Sequence, residues 1–160
     1  MGRTFYKILG VSICLFASAC HKEAKTGSPS TTIGETPPVA GNERNVYIAC
    51  EGAFGNGNAS LYMQDQSTLI TYENVYLNVN GSLLGDVFQS MERIDDQLFL
   101  CINNSDKVLI LDANTRKYKG ELSIPKPRYI LKLNSEKAYV SSLYGNKVYV
   151  NNPRAGKIMG

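Results

Sequence analysis

Histidine and tryptophan are almost missing from the 160 residues, which contain one histidine, His21, and no tryptophan. Because this one histidine lies beside Cys20 near the N-terminus, before the predicted domain, it removes Ser-His-Asp and Cys-His nucleophilic arrangements and metal sites built on histidine. The chain has no phosphate-binding loop and no dinucleotide-binding glycine pattern. Aspartates such as Asp86, Asp95 and Asp106 have no carboxylate partner at a spacing that suits catalysis. We therefore predict no catalytic residue, no metal site, no cofactor and no enzymatic activity.

The net charge of the chain is also small. The formal net charge of +3 includes Arg3 and Lys7 of an N-terminal leader, and without these two cations it falls to about +1. A domain with so little positive charge lacks the basic footprint that binding to nucleic acid requires. We predict no nucleic-acid partner.

The four cysteines do not form a disulfide framework. Cys14 lies inside the leader and Cys20 directly follows it. Cys50 and Cys101 fall in equivalent strands of adjacent repeats, one position out of register, and therefore on opposite faces. We expect both to be buried small apolar residues, and a disulfide between them in an oxidising compartment is the alternative.

What the chain does contain is a repeat of about forty residues. Residues 98–112 read LFLCINNSDKVLILD and residues 138–152 read AYVSSLYGNKVYVNN, so each copy has an apolar triplet, a polar loop, a lysine and a second apolar triplet. Residues 46–51 and 61–65 form a weaker third copy with a longer loop. Short strands repeated at this period are typical of radially arranged sheets. The sequence predicts an all-β fold, a β-propeller built of four-stranded blades.

The predicted propeller domain, residues 45–160, is incomplete. It holds about two and a half blades, whereas a ring needs about four to eight. Each unit leaves apolar faces that only a neighbour covers. We interpret the chain as a fragment of a longer protein or the product of a truncated gene, and a module completed by another chain is the alternative.

Long polar loops gather at one end of the predicted blades. In an antiparallel meander, the loops between strands two and three and the connections from strand four to the next blade share an end. Irregular polar loops collected on one rim suggest a binding face, although ordinary solvated loops are the alternative. The candidate ligand-binding residues are Glu51, Phe54, Asn56, Asn58, Asp86, Gln89, Asn103, Asn104, Arg128, Tyr129, Tyr144 and Asn146.

The N-terminus predicts export. Residues 1–19 have a positive start, a short apolar stretch and small residues before Cys20, which is the pattern of a bacterial lipoprotein signal. Cys20 is the predicted lipidation site and becomes the first residue of the mature protein. A non-lipidated signal peptide cleaved after Ala19 is the rival. Residues 20–44 lack aromatic side chains and predict a flexible tether, which fits a surface or a periplasmic position equally well.

The residues after the tether resemble a known family. The runs EGAFGNGNASLYMQD, NGSLLGDVFQSM, INNSDKVLILD and KPRYI resemble the YncE-like, DUF5074-type β-propeller surface lipoproteins of Bacteroidetes over residues 46–160. The resemblance implies a seven-bladed ring on an outer-membrane lipid anchor at the cell surface, in partnership with a TonB-dependent transporter. One branch of the family captures cobalamin and related corrinoids.

Three functional hypotheses follow. The first is a lipid-anchored surface protein that captures a solute, with a corrinoid as the most specific ligand that the resemblance implies. The second is a surface-layer or interaction propeller that binds protein or glycan. The third is a propeller hydrolase or lactonase whose catalytic residues belong to blades outside these 160 residues.

Overall fold

Three four-stranded sheets form the described part of the chain, residues 31–37 and 45–160 of a computed structural model. The strands are β1 (Thr31–Thr32), β2 (Asn45–Cys50), β3 (Ser60–Asp65), β4 (Thr71–Tyr72), β5 (Phe88–Ile94), β6 (Gln97–Ile102), β7 (Lys107–Asp112), β8 (Tyr118–Ser123), β9 (Pro127–Asn134), β10 (Lys137–Ser142), β11 (Val148–Asn152) and β12 (Lys157–Ile158). We call the sheets blade 1 (β1 to β4), blade 2 (β5 to β8) and blade 3 (β9 to β12). The predicted all-β fold is confirmed, with three four-stranded sheets where the sequence suggested about two and a half.

Blades 2 and 3 are simple antiparallel meanders. In blade 2 the order is β5-β6-β7-β8, and blade 3 repeats it as β9-β10-β11-β12. Strand β6 is buried along residues 98–102 without alternation, because blade 2 is covered on both faces. Its even and odd positions therefore pack against different neighbours.

The blades are arranged radially. The first strands of blades 2 and 3, β5 and β9, lie beside each other, and β9 also lies beside β6. One apolar core fills the space between blades 1 and 2 and includes Leu61, Leu100 and Leu109. A second core between blades 2 and 3 includes Phe99 and Val140. Adjacent first strands with one core per blade interface define a partial β-propeller.

The same hairpin turn recurs between strands three and four of each blade. Asp65 Oδ1 accepts the backbone N–H groups of Ser67 and Thr68, and Asp112 Oδ1 accepts those of Asn114 and Thr115. Asn152 Oδ1 accepts the N–H of Ala155 in blade 3. Each turn then uses a residue with positive φ, namely Leu69, Arg116 and Gly156. These turns identify β3, β7 and β11 as equivalent strands, and Asp65 and Asp112 cap the turns that follow them.

Blade 1 departs from the predicted pattern at its outer edge. Strand β1 pairs with β4 in parallel, with Thr31 opposite Thr71 and Thr32 opposite Tyr72. Pro37 is buried, and its carbonyl oxygen accepts a hydrogen bond of 2.7 Å from Nη2 of Arg116. The structure thus places residues 31–37 against the domain, where the sequence predicted part of a flexible tether.

Two short helices were not predicted. An α-helix, α1 (Val75–Asn80), lies in the connection from blade 1 to blade 2, and a 3-10 helix spans Asn103–Ser105. The leader, Cys20 and the remainder of the predicted tether lie outside the described residues. Within residues 31–37 and 45–160, no helix is long and apolar enough to cross a membrane.

Candidate functional site

The predicted rim is formed by backbone contacts between loops and connections at one end of the blades. The backbone N–H of Asn103 donates to the carbonyl of Val87 at 2.8 Å, and the N–H of Leu143 donates to that of Lys126 at 2.8 Å. Each bond joins a loop between strands two and three to the connection that enters the same blade. The structure therefore brings these segments together as the antiparallel geometry predicts.

The loop of blade 1, residues 51–59, is shaped by glycines and one amide. Gly52 has φ of +79°, and a Cβ there would lie 2.7 Å from the backbone nitrogen of Ala59. Asn58 Oδ1 accepts the N–H of Ala53 at 2.8 Å, so this predicted site residue holds the loop. Phe54 is 78% exposed at the tip. The neighbouring site residues Glu51 and Asn56 are exposed as well.

The carboxylate of Asp86 holds the same loop in place. Its side chain is only 8% exposed, and Oδ2 accepts the backbone N–H of Gly55 at 2.8 Å and Nδ2 of Asn104 at 2.5 Å. The backbone N–H of Asp86 donates to Ser105 Oγ at 2.9 Å. The hydrogen bond from Asn104, followed by backbone N–H groups of the loop, lowers the pKa of the Asp86 carboxyl. The Asp86 carboxylate therefore ties the loop of blade 1 to the loop of blade 2.

The network continues into the connection between blades 2 and 3. Nζ of Lys126 donates to Oδ1 of Asn104 at 2.9 Å and lies 3.4 Å from Oδ1 of Asp106. The backbone N–H of Lys126 also donates to Asp106, and this bond is the main reason that the pKa of Asp106 is lowered. An unbroken series of polar contacts thus runs across the rim from Gly55 to Lys126.

Four other predicted site residues lie at the rim ends of strands. Asn103 is buried, and its Nδ2 donates to the carbonyl of Pro127 at 3.0 Å. Gln89 is half-buried at a bulge in β5. The guanidinium of Arg128 lies 5.8 Å from the ring centroid of Tyr129, which is exposed on the open side of blade 3. Asn103 therefore supports the rim from inside, while Tyr129 belongs to a sheet face.

The loop of blade 3 presents the second aromatic tip. Tyr144 is 92% exposed and has φ of +63°, next to Gly145 and the exposed Asn146. Ser142 Oγ, at the start of the loop, donates to the carbonyl of Pro125 at 2.5 Å. The side chain of Tyr144 therefore projects from a loop that is fastened at its base.

Three of the twelve predicted residues, Gln89, Arg128 and Tyr129, lie at the starts of β5 and β9, and the other nine fall into two groups. Those that remain accessible at the loop tips are Glu51, Phe54, Asn56, Tyr144 and Asn146. Those engaged in holding the rim together are Asn58, Asp86, Asn103 and Asn104. Sequence reasoning missed Ser105, Asp106 and Lys126 as members of the network. The lysine between Pro125 and Pro127 was the available signal, because two prolines stiffen its backbone.

Comparisons with known proteins include a distant likeness to a solved structure. No family model matches the chain, and no curated protein matches it significantly in sequence. Among solved structures, the chain is similar to a europium-containing methanol dehydrogenase, with a TM-score of 0.45 and 15% identity over 73% of this chain. The chain spans 22% of the length of that protein. This likeness carries no argument about function, and the fold class rests on the three sheets.

Proposed function

We propose that this protein is a non-enzymatic, lipid-anchored capture protein of the outer-membrane surface, which binds a solute on its propeller rim and delivers it to a TonB-dependent transporter. The observation that carries the proposal is the pair of aromatic side chains, Phe54 and Tyr144, that project from fastened loops at the same end. The export signal before Cys20 supports the anchored location.

The chemistry of the rim favours a large, flat, polar ligand. Exposed aromatic rings stack on conjugated or apolar ligand faces, and the loss of water from such faces contributes to affinity. Asn56 and Asn146 are exposed in the same two loops, two residues after Phe54 and Tyr144, and offer neutral donors and acceptors. A corrinoid, with a conjugated ring surrounded by amide side chains, fits such a surface and is the ligand implied by the resemblance to the YncE-like lipoproteins.

A protein or glycan partner is the second candidate. Exposed tyrosine and phenylalanine are also the side chains that dominate protein interfaces and that stack on sugar rings. The rigid support under the loops suits either partner, because an ordered surface loses little conformational entropy on binding.

Calorimetric titration of cyanocobalamin into the lipid-free protein tests the proposal. Phe54→Ala and Tyr144→Ala are each expected to weaken binding at least tenfold, about 1.4 kcal/mol. Tyr118→Ala is the matched control, because Tyr118 is an exposed aromatic on β8, away from the rim loops. Absence of binding by the wild-type chain, or equal loss in all three variants, contradicts corrinoid capture.

The anchor is tested separately. Cys20→Ser is expected to abolish incorporation of labelled palmitate and to move the protein from the membrane fraction to the soluble fraction. Unchanged fractionation would mean that the membrane association does not depend on a lipid at Cys20.

The transporter partner is tested by purifying outer-membrane proteins on immobilised wild-type protein and on immobilised Phe54→Ala protein. A transporter that is retained by the wild type and not by Phe54→Ala is a specific partner, whereas a protein that both retain is bound nonspecifically.

A further inference from the structure

A cavity of about 370 Å³ lies on the side of the domain, between the connection from blade 1 to blade 2 and the outer strands of blade 2. Its lining includes Tyr76, Ser82, Lys107, Leu109, Tyr118 and Glu121. A smaller cavity of about 140 Å³ shares Tyr76 and Leu83 with it. We call the two cavities together the outer groove. The larger one contains none of the twelve residues predicted for the rim, so it is a separate place on the molecule.

The groove exists because the outer strand of blade 1 is short. Strand β4 has two residues, Thr71–Tyr72, whereas its counterpart β8 has six, Tyr118–Ser123. The chain turns into helix α1 directly after β4, and α1 packs beside β3. The outer part of blade 2 is therefore left open on the side of blade 1, and Tyr118 is 48% exposed there.

The floor of the larger cavity is one face of strands β7 and β8. Leu109 lies directly opposite Glu121, and it belongs to the core that blade 2 shares with blade 1. Lys107 is two positions before Leu109 and therefore lies on the same face. Lys107 and Glu121 occupy diagonal positions of the two strands, roughly 7–8 Å apart. A cation and a carboxylate thus border the same space without closing it.

Asn80 fixes the wall of the groove to its floor. This last residue of α1 donates from Nδ2 to the carbonyl of Arg116 at 3.1 Å, and its Oδ1 accepts the backbone N–H of Tyr118 at 2.8 Å. Both hydrogen bonds join the helix to the start of β8. A groove held in shape in this way loses little conformational entropy when a ligand binds.

The other polar side chains of the larger cavity are not engaged with the protein. Among the residues that the structure describes, five lining side chains form no hydrogen bond or ion pair, namely Tyr76, Ser82, Lys107, Tyr118 and Glu121. The rim differs, because Asp86 and Asn104 there bond to each other. The donors and acceptors of the outer groove are therefore available to a ligand.

These five groups together favour a neutral ligand that is rich in hydroxyl groups. A lysine ammonium only donates, an ionised glutamate only accepts, and a tyrosine hydroxyl does both. A sugar hydroxyl both donates and accepts, so it satisfies all three kinds of group. A ligand of either charge would instead bring a like charge to Lys107 or to Glu121. The exposed ring of Tyr118 adds an apolar face on which the C–H face of a sugar ring packs.

We propose that the outer groove is a binding site for a neutral oligosaccharide. One sugar ring stacks on Tyr118, with its hydroxyl groups bonded to Lys107 and Glu121. The next unit passes Leu83, which is 65% exposed and lines both cavities, and enters the smaller cavity. The site is independent of the function proposed for the rim.

Calorimetric titration of the wild-type chain with maltohexaose, cellohexaose, xylohexaose and mannohexaose tests the proposal. We expect at least one of these neutral sugars to bind with a Kd of about 1 mM or below. Tyr118→Ala should weaken that binding by about tenfold or more, whereas Tyr118→Phe, which keeps the ring, should retain most of it. Failure of all four sugars to bind at millimolar concentration would overturn the proposal, and so would equally tight binding of the anionic hexagalacturonate.

Tyr144→Ala is the matched control, because it removes an exposed tyrosine from the rim. It should bind the hexasaccharide like the wild type, and Tyr118→Ala should bind cyanocobalamin as the wild type does, so that the two sites succeed or fail separately. Equal loss of sugar binding in both variants would contradict the proposal.

Hydrogen exchange of the wild-type chain locates the sugar without any substitution. The bound hexasaccharide should protect the backbone amides of α1 and β8 and leave the loop at residues 51–59 unchanged. Protection of residues 51–59 or 143–146 instead would place the sugar on the rim and overturn the assignment to the outer groove.

Discussion

At the scale of single residues, Gly85 is a position where the rim leaves no space for a side chain. Its φ is +130°, and a Cβ there would lie 2.7 Å from Ser105 Oγ and 2.8 Å from Ile102 Cγ2. We expect Gly85→Ala to lower the free energy of unfolding by about 1–3 kcal/mol, because the strained backbone and the close contacts act together. Gly120→Ala is the control, since no atom lies within 4 Å of its Cβ. Urea unfolding measures both, and an equal loss in the two variants would show that the expected contacts are absent.

The two cysteines of the domain are expected to differ in reactivity. Cys101 is fully buried, and burial raises the pKa of its thiol to about 11. The sequence prediction of burial is correct for Cys101, whereas Cys50 is only half-buried at the end of β2, which lies at the edge of its sheet among the described strands. Both thiols are free. At pH 8, iodoacetamide should therefore modify Cys50 and spare Cys101 until the chain unfolds. Mass spectrometry of native and guanidinium-treated samples checks this, and rapid native labelling of Cys101 would contradict it.

The sequence predicted at which end of the blades these polar residues lie, but not which of them are accessible. The repeat placed Asn103, Asn104 and Asp86 at the correct end, because strand alternation fixes which loops share an edge. It could not indicate that Asn103 is buried, since burial depends on the carbonyl of Pro127, 24 residues away. Asparagine is equally suited to bind a ligand or to satisfy a backbone group, and only the tertiary contact distinguishes the two roles.

At the scale of elements, the aspartate-capped turns predict a response to acid. Hydrogen bonds from Ser67 lower the pKa of Asp65, and the backbone N–H of Thr115 is the main cause of the lowered pKa of Asp112. A folded-state pKa below the unfolded value stabilises the fold above the unfolded value of about 3.9, and the contribution is lost as the pH falls through the folded value. The two turns therefore weaken below about pH 4.

The corresponding experiment replaces both carboxylates by amides. The double variant Asp65→Asn/Asp112→Asn keeps an oxygen that accepts the backbone N–H groups but no longer titrates. We expect its melting temperature to fall less steeply between pH 5 and pH 2 than that of the wild type, whereas the exposed Glu121→Gln should follow the wild type. Identical slopes for the double variant and the wild type would mean that these turns do not contribute to acid sensitivity.

The elements that sequence reasoning missed have identifiable causes. Helix α1 has only six residues, VYLNVN, so it is shorter than two turns and rich in β-branched side chains. It is bounded by Asn74 and Gly81, both left-handed, which are signals that also occur in ordinary turns. Strand β1 forms through backbone pairing of two threonines, and such pairing leaves no hydrophobic pattern to detect. Strands β6, β7, β10 and β11 were predicted because two copies of one repeat confirm each other.

At the scale of the whole molecule, blade 2 connects two separate cores through one strand. Leu100 of β6 belongs to the core with blade 1, and its neighbour Phe99 belongs to the core with blade 3. Truncation of either residue should lower the free energy of unfolding by about 2–5 kcal/mol, because both are fully buried. Hydrogen exchange separates them: Leu100→Ala should lower protection most in β3, and Phe99→Ala most in β10. Uniform loss throughout would indicate one cooperative unit instead of coupled blades.

The outer face of blade 3 predicts self-association of this 160-residue chain. Leu131 and Leu133 are 66% and 57% exposed at alternate positions of β9, on the face turned away from blade 2. An apolar stripe of this kind favours association unless another surface covers it. We expect Leu131→Lys/Leu133→Lys to remain monomeric in sedimentation velocity at concentrations where the wild type associates. Leu83→Lys, which changes an exposed leucine outside the strands, should associate like the wild type. Association that persists in the double variant would place the contact on another surface.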